Sequence, residues 1–244
     1  MIHSKEDMTV RYRFPQGVTV AVRHYAGVCN PTAYSVFVCS HLPVCVGIRC
    51  LDVGAGSGIV GLTMAKLGAG KVDAVELEQN AKDALNTNVR LNGLIDKVRV
   101  IIGDAFKVIP DEATYDLIAC NPPSLPMARP PAGGSLSMCC YGGMTGIEFI
   151  ADLVHRITKW LRPGGSLLFV NTSLADLGTT QRTLKKAGFR FEIVAWRQLR
   201  FRKVYEQHIA WIRKREAMGK AIVLSRGGHL YELLFLIRAY MGKV

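Results

Sequence analysis

Eight residues, Leu51-Asp-Val-Gly-Ala-Gly-Ser-Gly58, constrain this chain more than any other stretch. An apolar run from Ile48 to Val53 ends in glycines at 54, 56 and 58, and a helical pattern begins at once. A strand, a glycine turn and a helix together let backbone approach a ligand closely at a helix N-terminus. A pyrophosphate loop of the form G-x-G-x-x-G needs a glycine at position 59, where this chain has Ile59. Asp52 stands on the strand leading into the turn, where a carboxylate repels a pyrophosphate and suits a cation. The loop therefore asks for a nucleoside that carries a positive charge.

From Ile48 onward, apolar strands alternate with amphipathic helices, the pattern of a parallel sheet covered on both faces. Strands are predicted at about 48–53, 72–77, 98–102, 115–120, 166–171 and 189–196, and a last buried strand at 231–239. Before them, residues 1–25 alternate weakly and read as a short hairpin or an edge strand. Residues 32–42 read as a helix entered through Asn30-Pro31, with Asn30 as its cap. The expected fold is α/β: a Rossmann-like, seven-stranded, mostly parallel sheet with flanking helices and an antiparallel last strand. The chain divides into an N-terminal hairpin and helix extension (1–47), a core (48–196), and a basic segment with the last strand (197–244).

Five predicted strand ends carry unusual residues: Asp52 with the glycines, Glu76, Asp104, Asn121-Pro122-Pro123, and Asn171. Ligands of open parallel sheets bind outside the carboxyl ends of the strands, so these signals fall on one edge. Glu76, 24 positions after Asp52, can accept the hydrogens of both ribose hydroxyls. Asp104 can accept an adenine amino group, with the Ala105 N–H toward a ring nitrogen. S-adenosylmethionine is a nucleoside with a positive charge and fits the set. Its expected contacts are Asp52, Gly54, Ala55, Gly56, Gly58, Glu76, Leu77, Asp104, Ala105 and Asn121.

Asn121-Pro122-Pro123 is the motif that suits catalysis. Proline has no N–H and a fixed φ, so consecutive prolines hold the preceding carbonyls as acceptors. The Asn121 side-chain oxygen and the Pro122 carbonyl can accept both hydrogens of an –NH₂ group and aim its lone pair at a methyl donor. Ser124, Tyr34, Tyr141 and Trp196 are candidates for contact with a planar acceptor, although aromatic residues more often serve the core. The six histidines show no metal spacing, and no metal is expected.

Taken together, these residues resemble the class I S-adenosylmethionine-dependent methyltransferases. The likeness runs over about residues 28–196: Leu51–Gly58, Val75-Glu-Leu77, Gly103-Asp-Ala105 and Asn121-Pro-Pro-Ser124 match that class's successive motifs. More narrowly, the chain is similar to the HemK-like and small-domain N-methyltransferases. It shares with them a downstream Gly142-Gly-Met-Thr-Gly146, the helix Asn88-Val-Arg-Leu-Asn92, and Pro31 followed by Ser35. The resemblance implies methyl transfer to a glutamine amide or a nucleobase amine, with S-adenosylhomocysteine as the other product. Two departures stand out. Ser124 replaces the aromatic residue those enzymes usually carry after Asn-Pro-Pro, and the 45-residue N-terminal region is too short for a separate helical substrate domain. The alternatives are a small-molecule N- or O-methyltransferase, and a non-catalytic nucleic-acid-binding protein of the same fold.

The net charge is +12, and residues 197–244 contribute +8 of it, with 11 basic and 3 acidic residues. A segment so basic favours a polyanionic or acidic partner, so protein and nucleic-acid acceptors both stay open. Segment 197–228 shows helical character around 203–218 and has no counterpart in the resemblance. The seven cysteines form no C-x-x-C pair, and reduced thiols in a cytoplasmic protein are expected. No uncharged apolar run is long enough to span a membrane, and no N-terminal leader is evident.

Overall fold

The computed structural model describes residues 8–132 and 139–241. Residues 1–7, where a leader would begin, and 136–138 of the Cys/Met-rich loop at 136–144 lie outside the described residues.

The strands are β1 (Thr9–Arg13), β2 (Thr19–Arg23), β3 (Arg49–Val53), β4 (Lys71–Glu76), β5 (Val98–Ile102), β6 (Tyr115–Cys120), β7 (Leu161–Thr172), β8 (Phe189–Arg200), β9 (Leu224–Arg226) and β10 (His229–Met241). The α-helices, in chain order, are α1 (Ala33–Cys39), α2 (Ile59–Lys66), α3 (Lys82–Leu91), α4 (Ala105–Val108), α5 (Glu148–Trp160), α6 (Leu177–Lys186) and α7 (Ile209–Ala217). Strand order in the main sheet is β5-β4-β3-β6-β7-β10-β8, and β9 pairs with β10. The expected seven strands are all present. An eighth, β9, escapes a pattern reading because three residues show no alternation. Pairings β3–β4, β3–β6 and β4–β5 are parallel, while β10 runs antiparallel to β8.

The chain divides into two compact units. The first comprises residues 1–121 and 159–167. It holds β3 to β6, α1 to α4 and the hairpin β1–β2, whose register pairs Thr9 with Arg23. α2 is buried from Ile59 to Ala65, apolar all round because its neighbours enclose it. Asp73, buried in β4, ties that strand to three others. It accepts bonds from Arg49 of β3 (3.1 Å), Arg99 of β5 (2.7 and 2.9 Å) and the Tyr115 hydroxyl of β6 (2.7 Å). Burial alone would raise its pKa, but these donors outweigh burial and hold the carboxyl below the usual range.

One expectation is corrected here. The cap of α1 is Thr32, not Asn30: Thr32 Oγ1 accepts from Tyr34 N–H and Ser35 Oγ accepts from Thr32 N–H, a capping box. Asn30 instead bonds the backbone N–H and C=O of Tyr25 (3.2 and 2.9 Å), so its side chain is spent on the preceding turn.

The second unit comprises residues 122–158 and 168–244. Within it, β10 pairs with β8 along eleven residues. The basic segment becomes a 3₁₀ turn (Lys203–His208) followed by α7. Its Tyr205 is buried, and the hydroxyl donates to Glu232 Oε1 of β10 (2.8 Å), while Thr172 Oγ1 donates to Glu232 Oε2. This shared carboxylate anchors the segment to the sheet strand beneath it.

Cysteines 39, 45, 50, 120 and 140 are free thiols. Cys29 and Cys139 are disulfide-bonded, which corrects the expectation of seven reduced thiols. Among the described residues no helix is long and apolar enough to cross a membrane.

Candidate active site

In the first unit the glycine turn lies between β3 and α2. Gly54, Gly56 and Gly58 all have positive φ (76°, 55° and 93°), which side-chain-bearing residues adopt at a cost. A Cβ on Gly56 would stand 2.7 Å from the Cys29 carbonyl oxygen. The N–H groups of the turn are already committed. Gly54 and Ala55 donate to Val75 O (2.9 Å each), Gly56 to Glu76 Oε2 (2.7 Å), Ser57 to Cys29 O (3.1 Å) and Gly58 to Ala55 O (2.8 Å). None of these five donors is left to hold a phosphate, so the turn is not a pyrophosphate cradle.

Two carboxylates flank it. Asp52 is 1% exposed, and its Oδ2 accepts from Gly61 N–H of α2 (2.7 Å). Burial, and then the Glu76 charge, push its pKa up to about 7 against the opposing Gly61 bond. Asp52 thus lies beneath the turn and braces it. Glu76, half-buried, accepts from Gly56 N–H through Oε2 and from Glu78 N–H through Oε1 (3.0 Å). Each carboxylate oxygen has two lone pairs, so both retain capacity for a hydroxyl. Leu77 beside it is exposed. Asp104 caps α4 by accepting from Phe106 N–H (3.0 Å), its second oxygen lies 3.7 Å from Lys107 Nζ, and Ala105 is buried.

At the end of β6, Asn121 Oδ1 is buried and has no hydrogen-bond partner among the described residues. An acceptor left so costs on the order of 1–3 kcal/mol unless something satisfies it. Tyr34, expected as a stacking candidate, is only 5% exposed in α1 and belongs to the core.

In the second unit, Pro122 and Ser124 are buried, and Pro123 is half-buried. The chain after them forms a narrow ladder with the loop that follows residue 139. Leu125 N–H donates to Cys140 O, Gly142 N–H to Leu125 O, and Met127 N–H to Gly143 O (2.9–3.0 Å). A Cβ on Gly142 would meet Ser124 Cα at 2.7 Å, and one on Gly146 would meet Ser124 O at 2.7 Å. The Gly142-Gly-Met-Thr-Gly146 run is therefore glycine-rich so that it can lie against Ser124. Tyr141 pairs with Leu125 and packs on the cluster of Leu125, Met127, Leu174, Tyr205 and Ile212. Trp196, another stacking candidate, is 67% exposed on β8 opposite Phe235. Asn171, at the end of β7, is fully buried, with neither amide atom partnered among the described residues.

Sequence reasoning missed the use of Asn88 and Asn92. These α3 side chains pair with the open edge of β2 as a strand would. Asn92 accepts from Ala21 N–H (2.9 Å) and donates to Ala21 O (2.7 Å). Asn88 accepts from Arg23 N–H (2.8 Å) and donates to Arg23 O (3.2 Å) and to Ser57 O in the glycine turn (2.9 Å). Their four-residue spacing, which matches the spacing of alternate residues on a facing strand, was the available signal.

Residues 33–127 match the family described as Methyltransferase small domain. Over this stretch the chain is similar to that domain. The match takes in the glycine turn, Glu76, Asp104 and Asn121 to Met127, and leaves the basic segment outside it. With the domain come the enzyme class, methyltransferase, and the cofactor, S-adenosylmethionine. A Methanocaldococcus jannaschii protein assigned as a protein N5-glutamine methyltransferase is 26% identical over 177 residues, 72% of this chain and 88% of that protein. The tRNA1(Val) (adenine(37)-N6)-methyltransferase of Escherichia coli is 38% identical over 84 residues, which cover 33% of this chain and 34% of that enzyme. Among solved structures, the YcgJ protein of Bacillus subtilis superposes with a TM-score of 0.59 at 12% identity, covering 86% of this chain and 98% of its own. That likeness shows the fold. The turn keeps no N–H from Gly54 to Gly58 for a phosphate, and beside it the half-buried Glu76 retains carboxylate lone pairs.

Proposed function

We propose that the protein transfers the methyl group of S-adenosylmethionine to a nitrogen on a planar acceptor, a glutamine amide or a nucleobase amine. The observation that carries this reading is the buried Asn121 Oδ1 without a partner. It is an acceptor held ready for an N–H, and Pro122 follows it with no N–H to compete. When bound, the cofactor supplies an electrophilic methyl carbon: the nitrogen–carbon bond forms as the carbon–sulfur bond breaks, leaving a thioether and a proton released from nitrogen.

The chain's own residues do the rest. Glu76 takes the ribose hydroxyls with the lone pairs its two backbone bonds leave free, and Asp104 takes the adenine amine. Leu77 and Ala105 line the base. Asn121 Oδ1 and the Pro122 carbonyl accept the two hydrogens of the –NH₂ group. That grip fixes the direction of the lone pair and favours the positive charge developing on nitrogen, without a strong base. Asp52 and the glycines hold the turn. The two relatives act, by their names, on a protein glutamine and on a tRNA adenine, both planar nitrogens. Ser124 is 6% exposed and offers no ring to the acceptor.

Methyl-labelled cofactor incubated with the enzyme and a cell extract tests the reading. Label is expected in acid-stable form on protein glutamine or on nucleobase nitrogen. Label confined to oxygen or sulfur of metabolites would refute it.

A further inference from the structure

In the second unit, the basic segment covers the chain that follows Asn-Pro-Pro, and its inward cations are already used. Arg215 is buried and donates to Thr145 O (3.0 Å) and Lys220 O (3.1 Å). Lys220 pairs with Asp176, Arg213 with Glu216, and Arg202 with the Tyr205 ring and hydroxyl. These residues build the segment and say nothing of a partner.

Its other side differs. The 3₁₀ turn and α7 face the chain at 128–132 across a cavity of about 770 Å³ whose lining includes Arg129, Pro130, His208, Trp211 and Lys214. Among the described residues no acidic side chain lines it. Arg129 is exposed and has no hydrogen-bond or ion-pair partner among the described residues. Lys214 has no carboxylate partner among them, and its ammonium lies over the Trp211 ring, 5.6 Å from the centroid. Trp211 is fixed edgewise, its indole N–H donating to Met144 O (3.0 Å). His208 Nε2 is buried without a partner among the described residues, and burial lowers its pKa, so near neutral pH it is a hydrogen-bonding group and not a charge.

Two cations without a carboxylate partner among the described residues, beside a fixed indole and in a cavity within the roughly 300–1,000 Å³ of small-ligand sites, match one nucleotide of a single strand. Cations meet phosphates, and an aromatic face stacks a base whatever its identity. An acidic peptide would use the cations and leave the ring idle. We propose that this cleft binds a single-stranded nucleic-acid segment, with Arg129 and Lys214 on phosphates and Trp211 against a base, and so holds a polynucleotide acceptor for the adjoining Asn-Pro-Pro loop. The proposal rests on the methyl-transfer reading above and narrows its acceptor class.

The test is binding of a labelled single-stranded RNA of about ten nucleotides to the full chain, without cofactor, followed by anisotropy across a salt series. Wild type is expected to bind with affinity falling steeply with salt. Arg129→Gln with Lys214→Gln should flatten the log–log slope by about 1.4, at about 0.7 for each phosphate no longer neutralised. Trp211→Leu should weaken binding about tenfold or more with the slope unchanged. Arg213→Gln, which removes an ion-paired cation outside the cleft, should leave binding unaltered. No binding by wild type, an unchanged slope in the double variant, or tighter binding of an oligoglutamate peptide than of RNA would overturn the proposal. Because no turnover is measured, such a failure leaves the methyl-transfer reading standing. RNA binding with label found only on protein glutamine would overturn the polynucleotide-acceptor assignment, whereas label on neither glutamine nor nucleobase nitrogen would fault the methyl-transfer reading.

Discussion

Asp52 and Glu76 were both read as carboxylates for a cationic nucleoside, and their surroundings separate them. Glu76 keeps lone pairs to offer, whereas Asp52 is sealed under α2. Glu76→Ala should therefore raise the Kd for S-adenosylmethionine about tenfold or more by calorimetry, at about 1.5–3 kcal/mol for a charge-assisted bond. An unchanged Kd would refute its ribose role. Asp52 makes a different prediction. Its folded pKa of about 7 lies above the unfolded value of 3.8, so the folded state holds the proton more tightly. Its contribution is fully present below about pH 4 and is lost as pH rises through 7. Asp52→Asn keeps an acceptor for Gly61 N–H and removes the titration. Relative to wild type, the variant should gain stability in denaturant titrations between pH 4 and 8, and parallel profiles would contradict the buried-acid account. Residue identities at the strand ends were legible because a polar side chain closing an apolar run is conspicuous. Their present partners were not: the bond from Gly56 to Glu76, and the burial of Tyr34, depend on tertiary placement.

The same division holds for elements. The parallel strands were legible because burial on both faces calls for short continuous apolar runs, as in Leu117 to Cys120 of β6. Boundaries went astray where side chains compete for backbone. Asn30 is spent on Tyr25, which passes the helix cap to Thr32. The glycine turn owes its shape to positive φ and to close approach, both visible as glycine spacing. Gly56→Ala should lower the thermal midpoint, by about 1–3 kcal/mol of stability for a strained φ, and more if the Cys29 carbonyl resists displacement. A wild-type midpoint would show that the turn relaxes freely. The hairpin β1–β2 has α3 for its sheet neighbour, through Asn88 and Asn92. Asn88→Ala leaves Arg23 N–H, Arg23 O and Ser57 O without this partner, so amide exchange at Arg23 and in the glycine turn should quicken together. Faster exchange in the hairpin alone would separate the two.

Over the whole molecule, charge and chemistry are unevenly distributed. Residues 1–196 carry +4 of the +12 and include the turn, the ribose acid and Asn121, while the remaining +8 lies in the segment beyond. That segment was legible as basic and as helical around 203–218, but its packing on the loop after Asn-Pro-Pro was not. The cluster of Leu125, Met127, Tyr205 and Ile212 joins stretches some 80 residues apart, which no local period reveals. The central claim is that Asn121 positions the acceptor nitrogen and does not bind the cofactor in any large measure. Asn121→Ala, assayed with methyl-labelled S-adenosylmethionine in a cell extract and by calorimetry with the cofactor alone, tests it directly. The account predicts methyl transfer reduced about 10²-fold or more, with cofactor Kd within a few-fold of wild type. Transfer at the wild-type rate, or a cofactor affinity that falls as far as the transfer does, would contradict it.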